Sequence, residues 1–125
     1  MTDNENRRVA EQFWSAVAAK DWDEHDRLID DGYVQEWPQS GERIRGKANS
    51  RAVKNAYPTS RTPSLRRLIG AGGLWIIETT IDYGSEIAHG VHVLELANGR
   101  IQRETDYFGQ PFAAPEWRAP WVERM

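Results

Sequence analysis

The sequence contains no cysteine. That excludes disulfides, a thiol nucleophile and thiolate-held metals at once. It also lacks any apolar run near the ~20 residues that a membrane-spanning helix needs. Its opening, Met1-Thr-Asp-Asn-Glu-Asn-Arg-Arg8, has no apolar signal-peptide core, so a cytoplasmic protein is expected. There is no excess of positive charge: 16 basic residues face 19 acidic ones for a formal net charge of -3, which argues against a nucleic-acid partner. No glycine-rich phosphate loop follows a strand into a helix, which removes the nucleotide case. The three histidines, His25, His89 and His92, show no metal-ligand spacing. Neither metal nor cofactor is therefore expected. What is abundant is tryptophan, six in 125 residues, enough aromatic surface to line a ligand cavity or a dimer interface.

Hydrophobic content of 39% with 28% charged residues is the balance of one globular domain, residues 1–125. Thr2 and Glu5 form a capping box ahead of an apolar stripe at Val9, Phe13 and Val17, predicting a helix of roughly four turns. Asp21 with Glu24 caps a second, short helix, and Gly32 stands where it is expected to stop. Tyr33 to Trp37 reads as a short strand ended by Pro38. Gln39 to Gly46 reads as a turn-rich loop, Lys47 to Ala56 as a third helix, and Thr59 to Ser64 as a connector. Four extended runs follow: Leu65 to Ala71, Leu74 to Tyr83, Glu86 to Ala97 and Arg100 to Phe108. Gly72-Gly73, Gly84-Ser85 and Asn98-Gly99 separate them as tight turns. Helices first and a meander afterwards predict an α+β fold, with three N-terminal helices on one face of a curved, mainly antiparallel sheet. The tail from Gly109 to Met125 interleaves Pro111, Pro115 and Pro120 with Phe112, Trp117 and Trp121. It is expected to be extended, its aromatics anchored across the sheet or on a partner subunit.

The carriers of a family resemblance are Lys20-Asp-Trp22, Trp37-Pro38 with Gly46 after it, Asn98-Gly-Arg-Ile101 and Arg103-Glu-Thr-Asp-Tyr-Phe108. With the element order, they make the whole chain resemble the nuclear transport factor 2-like superfamily. More narrowly, it looks like the SnoaL-like branch of ketosteroid isomerases, polyketide cyclases and limonene-epoxide hydrolases. The resemblance implies a cone whose sheet and helices enclose one apolar pocket with a few polar groups at its base, and usually a homodimer. It also implies a pocket acid at Asp106, a histidine partner at His92 and a second acid at Asp82. Two departures stand out. Thr80 occupies the place of an arginine that the epoxide hydrolases keep between their acids, and Trp37 occupies the place of the isomerase base.

From the residues themselves, Asp106 is expected to lose hydration among Tyr107, Phe108 and apolar neighbours, which would raise its pKa and make it a proton acceptor. The bland alternative is an acid paired with Arg66 or Arg103. A two-residue Asn98-Gly99 loop places His92 on the opposite face and His89 across from Phe108; one bulge places His92 beside Asp106. Glu78, between Ile76-Ile77 and Thr79-Thr80, is a candidate catalytic partner, although the parity Glu78, Thr80, Asp82 equally describes a half-solvated strand. Trp14, Tyr33, Trp37 and Phe108 are candidate walls, with Asp82 and His89 as further ligand contacts.

Two functions from different classes fit. One is a small-molecule-binding protein which, if an enzyme, is a cofactor-free acid–base isomerase, cyclase, dehydratase or hydrolase acting on a neutral, apolar, steroid-, terpenoid- or polyketide-like substrate. The other is a non-catalytic binding or dimerisation module whose pocket is filled by its own aromatics.

Overall fold

Helix α1 (Asp3–Ala19) starts at the expected cap, where Thr2 Oγ1 accepts from the Glu5 N–H at 3.1 Å. It buries Val9, Ala10 and Phe13. It ends on Lys20, whose φ of 56° is left-handed and whose N–H closes onto the Ala16 and Val17 carbonyls. Asp21 caps α2 (Trp22–Leu28) by accepting from the Glu24 N–H at 3.1 Å. The computed structural model describes residues 2–125 of the chain.

From Ile29 the backbone turns directly into β1 (Ile29–Trp37). Gly32 is thus inside a strand, not at a helix stop. The chain extends early because Ile29 is fully buried. An irregularity in the pairing lies between Ile29 and Val34, where Asp30 Oδ2 accepts from the Gly32 N–H at 2.8 Å. The expected loop contains a further strand, β2 (Glu42–Arg45), formed because Ile44 is apolar enough to pack and Arg43 pairs with Glu36 across the ladder. Helix α3 (Gly46–Ala56) follows, then β3 (Thr62–Ala71), β4 (Leu74–Asp82), β5 (Ile87–Ala97) and β6 (Arg100–Gly109).

The strands make one curved, open six-stranded sheet in the order β2-β1-β6-β5-β4-β3. Only β1 and β6 run parallel; the other four pairings are antiparallel. This is the expected α+β fold with one strand more than foreseen. The inner face carries Leu68, Trp75, Ile77, Leu94 and Ile101, packed against Val9 and Phe13 of α1 and Tyr33 of β1. The Gly72 turn is clamped to the start of α1: its N–H donates to Asp3 Oδ1 at 2.7 Å, and its carbonyl accepts from Asn6 and from the Trp75 indole.

The tail aromatics do not anchor across the chain's own sheet. It forms a short 3-10 turn, Glu116–Trp121, with Phe112, Trp117 and Trp121 exposed at 81%, 73% and 79%. Its prolines keep it from pairing with the sheet edge. No helix among the described residues is long and apolar enough to cross a membrane.

Lys20 holds a left-handed conformation that a Cβ disfavours by about 1 kcal/mol. Lys20→Gly is expected to stabilise the fold by about 0.5–1 kcal/mol in urea denaturation.

Candidate functional site

The geometry of the site is decided by one residue of backbone. Asn98 and Gly99, both at positive φ (53° and 75°), form a two-residue turn. Ala97 pairs with Arg100 and Leu96 with Ile101, but Glu95 pairs with Arg103, so Gln102 is a single-residue bulge. Beyond it the register is shifted, and His92 pairs with Asp106. Both side chains then point to the inner face.

Asp106 is nearly sealed from solvent and accepts three hydrogen bonds. Gln35 Nε2 donates to Oδ2 at 2.6 Å, the Trp37 indole N–H donates to Oδ2 at 3.0 Å, and His92 Nδ1 meets Oδ1 at 2.7 Å. The indole that stands where an isomerase would carry its base is thus a donor to the pocket acid. His92 Nε2 lies 3.1 Å from Thr79 Oγ1, whose hydroxyl is also 3.4 Å from the Gly90 carbonyl. Phe108 closes edge-on over the imidazole, ring centroids 5.8 Å apart.

A second acid sits beside the first. Glu104, two residues before Asp106 on β6, is buried, and Tyr33 donates to its Oε1 at 2.7 Å. Burial pushes its pKa well above the carboxylate range, and the neighbouring Asp106 charge pushes it further. Burial also acts to raise Asp106, but the hydrogen bond from His92, the adjoining Glu104 and the hydrogen bond from Gln35 outweigh it and hold the acid down at about 2. The expected basic Asp106 is therefore corrected. Glu104 is thereby driven towards its neutral form and Asp106 towards its anion. Two like charges so close cannot both persist.

Lys54 of α3 faces the same space, its pKa lowered by desolvation although Glu104 and Asp106 counteract this. Its ammonium donates to Ser50 Oγ at 2.9 Å and lies 5.5 Å from the centroid of the Trp22 ring. His25 of α2 is fully buried between Phe13, Trp22 and Tyr33. Its Nδ1 contacts Asp26 at 3.0 Å, while Nε2 has no partner. Desolvation, then Lys54, lowers its pKa to about 4, so the ring is neutral at pH 7.

These groups surround a cavity of about 120 Å³ between the helices and the sheet, walled by Phe13, Trp14, Trp37, Ile77 and Phe108. That is smaller than the roughly 300–1,000 Å³ typical of drug-sized ligand sites. Of the residues singled out from sequence, Asp106, His92, Trp14, Trp37 and Phe108 meet at this cavity. Tyr33 lies behind it, reaching it through Glu104.

Three candidates do not belong. Buried residues on β4 are Trp75, Ile77, Thr79 and Ile81, so Glu78 and Asp82 point outward. Glu78 pairs with Arg67 at 3.1 Å, and Asp82 accepts from the Gly84 N–H in the turn. His89 is exposed and pairs with Gly109, not Phe108, because of the bulge. Gln35, Lys54, Thr79 and Glu104 were not anticipated. Glu104 had a usable signal, the same strand parity as Asp106, and so did Gln35, which shares the parity of Tyr33 and Trp37.

His92, Glu104 and Asp106 bring one potential metal ligand each to within 4.8 Å of one another. Their lone pairs and protons are already matched to Gln35, Trp37 and Tyr33, which suits an acid–base network better than a divalent cage.

The model of the SnoaL-like domain matches residues 10–104. The chain belongs to the SnoaL-like domain family. Among solved structures, this SnoaL-like chain is similar to an NTF-2 like protein of unknown function from Burkholderia xenovorans LB400. The two are 38% identical over 98% of this chain and 96% of that one, with a TM-score of 0.84. A candidate ketosteroid isomerase from Kribbella flavida is 28% identical over 100% and 93%, with a TM-score of 0.93. An LEH-like epoxide hydrolase from M. tuberculosis is 25% identical over 85% and 84%, with a TM-score of 0.69. A comparison with the curated proteins finds no match.

Two predictions follow the geometry. A Cβ on Gly90 would lie 2.5 Å from Thr79 Oγ1 and 2.9 Å from His92 Nε2. Gly90→Ala is expected to lower stability by about 1–3 kcal/mol in denaturant and to displace the His92 ring resonances in NMR spectra. The second concerns pH. His25 is held neutral in the folded state down to about pH 4, while unfolded His titrates near 6.5. Below that value the unfolded chain binds a proton that the folded chain does not, so stability is complete above pH 6.5 and falls towards pH 4. The loss is up to about 3 kcal/mol, and His25→Phe should flatten the profile in that window.

Proposed function

We propose that residues 1–125 form one SnoaL-like domain that binds a small, largely apolar molecule and rearranges it by proton transfer, without a cofactor. The observation that carries this reading is the buried Asp106–His92 pair beside a neutral Glu104 at one cavity. Asp106 orients the imidazole with its proton on Nδ1, leaving the Nε2 lone pair as the base. Thr79 occupies that lone pair in the resting site and releases it when its hydroxyl turns to the Gly90 carbonyl. Nε2 then takes a proton from the ligand. Glu104, its pKa raised by burial, gives one to the oxygen that gains charge. Trp14, Trp37 and Phe108 are the walls, and Tyr33 steadies Glu104. The names of the isomerase and epoxide hydrolase neighbours support a reaction of this type.

The domain is further proposed to pair as a homodimer through the outer sheet face, where Ile69, Leu74, Val91 and Tyr107 are exposed. The small cavity favours one second reading, a binding module whose pocket is filled by its own aromatics.

A thermal-shift screen with steroids, terpenoids and monocyclic aromatics separates the two. A stabilising ligand whose turnover drops by about 10²–10⁴-fold in His92→Ala and Asp106→Asn supports the acid–base reading. Undiminished turnover in both variants would sink it, and silence across the panel favours the module. By sedimentation, Val91→Arg should convert a dimer to monomer.

A further inference from the structure

Two cations at the cavity have no use in the reaction described above. Lys54 comes from α3 and Arg61 from the segment leading into β3. Among the described residues, every ion pair joins other groups; neither Lys54 nor Arg61 has a carboxylate within 4.0 Å. The Lys54 ammonium offers three protons, and the Ser50 hydroxyl takes one. Asp106 accepts from Gln35, Trp37 and His92, and no hydrogen bond joins it to Lys54 among the described residues. The Arg61 guanidinium carbon lies 4.1 Å from the centroid of the Tyr57 ring, a cation–π contact at the cavity wall.

A half-buried ammonium without an ion partner is costly to keep. An anion arriving beside it offsets that cost, with the Arg61 guanidinium at the same cavity as a second donor. Apolar wall comes from the rings of Phe13, Trp14 and Trp37 and from the aliphatic side chains of Ile77 and Ile81. The volume of about 120 Å³ is near that of an apolar cavity that admits one benzene ring. It excludes a four-ring skeleton.

From this juxtaposition we propose that the ligand is a small carboxylic acid with one ring or a short apolar chain. Its carboxylate is held by Lys54 and Arg61, and its apolar part lies among Phe13, Trp14 and Trp37. The proposal rests on the cavity being the ligand site, as proposed above, and narrows its occupant from a neutral molecule to an anionic one. Lys54 and Arg61 are binding residues; the proton-transfer groups stay on the sheet side.

The test uses phenylacetate and its neutral isostere phenylacetamide, with benzoate and cinnamate as further acids, in calorimetric titrations of the full chain. Phenylacetate should bind at least tenfold more tightly than the amide. Lys54→Met should abolish that preference, a loss of roughly tenfold to a hundredfold in acid affinity. Arg61→Gln should reduce it, and raised salt should weaken the acid but not the amide. Equal binding of acid and amide overturns the proposal, as does a preference unchanged in Lys54→Met or the failure of all three acids to bind. The fate of the cavity reading is read separately: amide binding that weakens in Trp14→Ala keeps the cavity as the ligand site even where the carboxylate assignment falls.

Discussion

A buried carboxylate held by donors from two neighbouring strands is the constraint around which this fold closes. Asp106 is nearly inaccessible to water, is driven towards its anion, and is served by Gln35 and Trp37 on β1 and His92 on β5. An isolated buried charge costs many kcal/mol, so these donors are obligatory. Because they come from both strands flanking β6, satisfying the acid also fixes β1 parallel to β6 and β5 antiparallel to it. The inner ends of the helices then have a defined surface to cover, and the cavity is what they leave uncovered.

The electrostatics of the pocket follow from that same placement. With Asp106 driven towards its anion, burial and that charge together drive Glu104, two residues away, towards its neutral form. Tyr33 fixes one of its oxygens. His25 is neutral for the opposite reason, since burial and Lys54 both disfavour its protonation. The site therefore combines one acid driven towards its anion, one driven towards its neutral form, and the neutral imidazole of His25. Such separation of pKa values between neighbours is what acid–base chemistry requires.

Much of the fold was legible in the sequence because its signals are local. Thr2 and Asp21 cap the helices, and Asn98-Gly99 turns the last hairpin. What escaped was non-local. Strand β2 has one buried residue, Ile44, and exists because β1 offers it an edge. The Gln102 bulge has no sequence signature, yet it exchanges which histidine meets Asp106. Glu104 could have been read from its spacing to Asp106, whereas nothing along the chain announces that Lys54 of a mostly polar helix turns inward. Glu78 misled because flanking isoleucines do not reveal which strand parity is inside. The outward parity is held by Arg66 and Arg67 across the ladder.

The six tryptophans divide by environment in a way that gives the molecule a built-in optical readout. Trp14, Trp22 and Trp37 line the cavity, Trp75 is locked in the core, and Trp117 and Trp121 stand in water on the tail. The indole N–H of Trp37 is tied to the anion at the cavity floor, so a guest that perturbs this bond changes the polarity around an emitting ring. The two tail rings contribute a constant, red-shifted background that a shortened chain would remove. Occupancy of the cavity is then visible in the protein's own fluorescence, whatever the guest's identity and without any label.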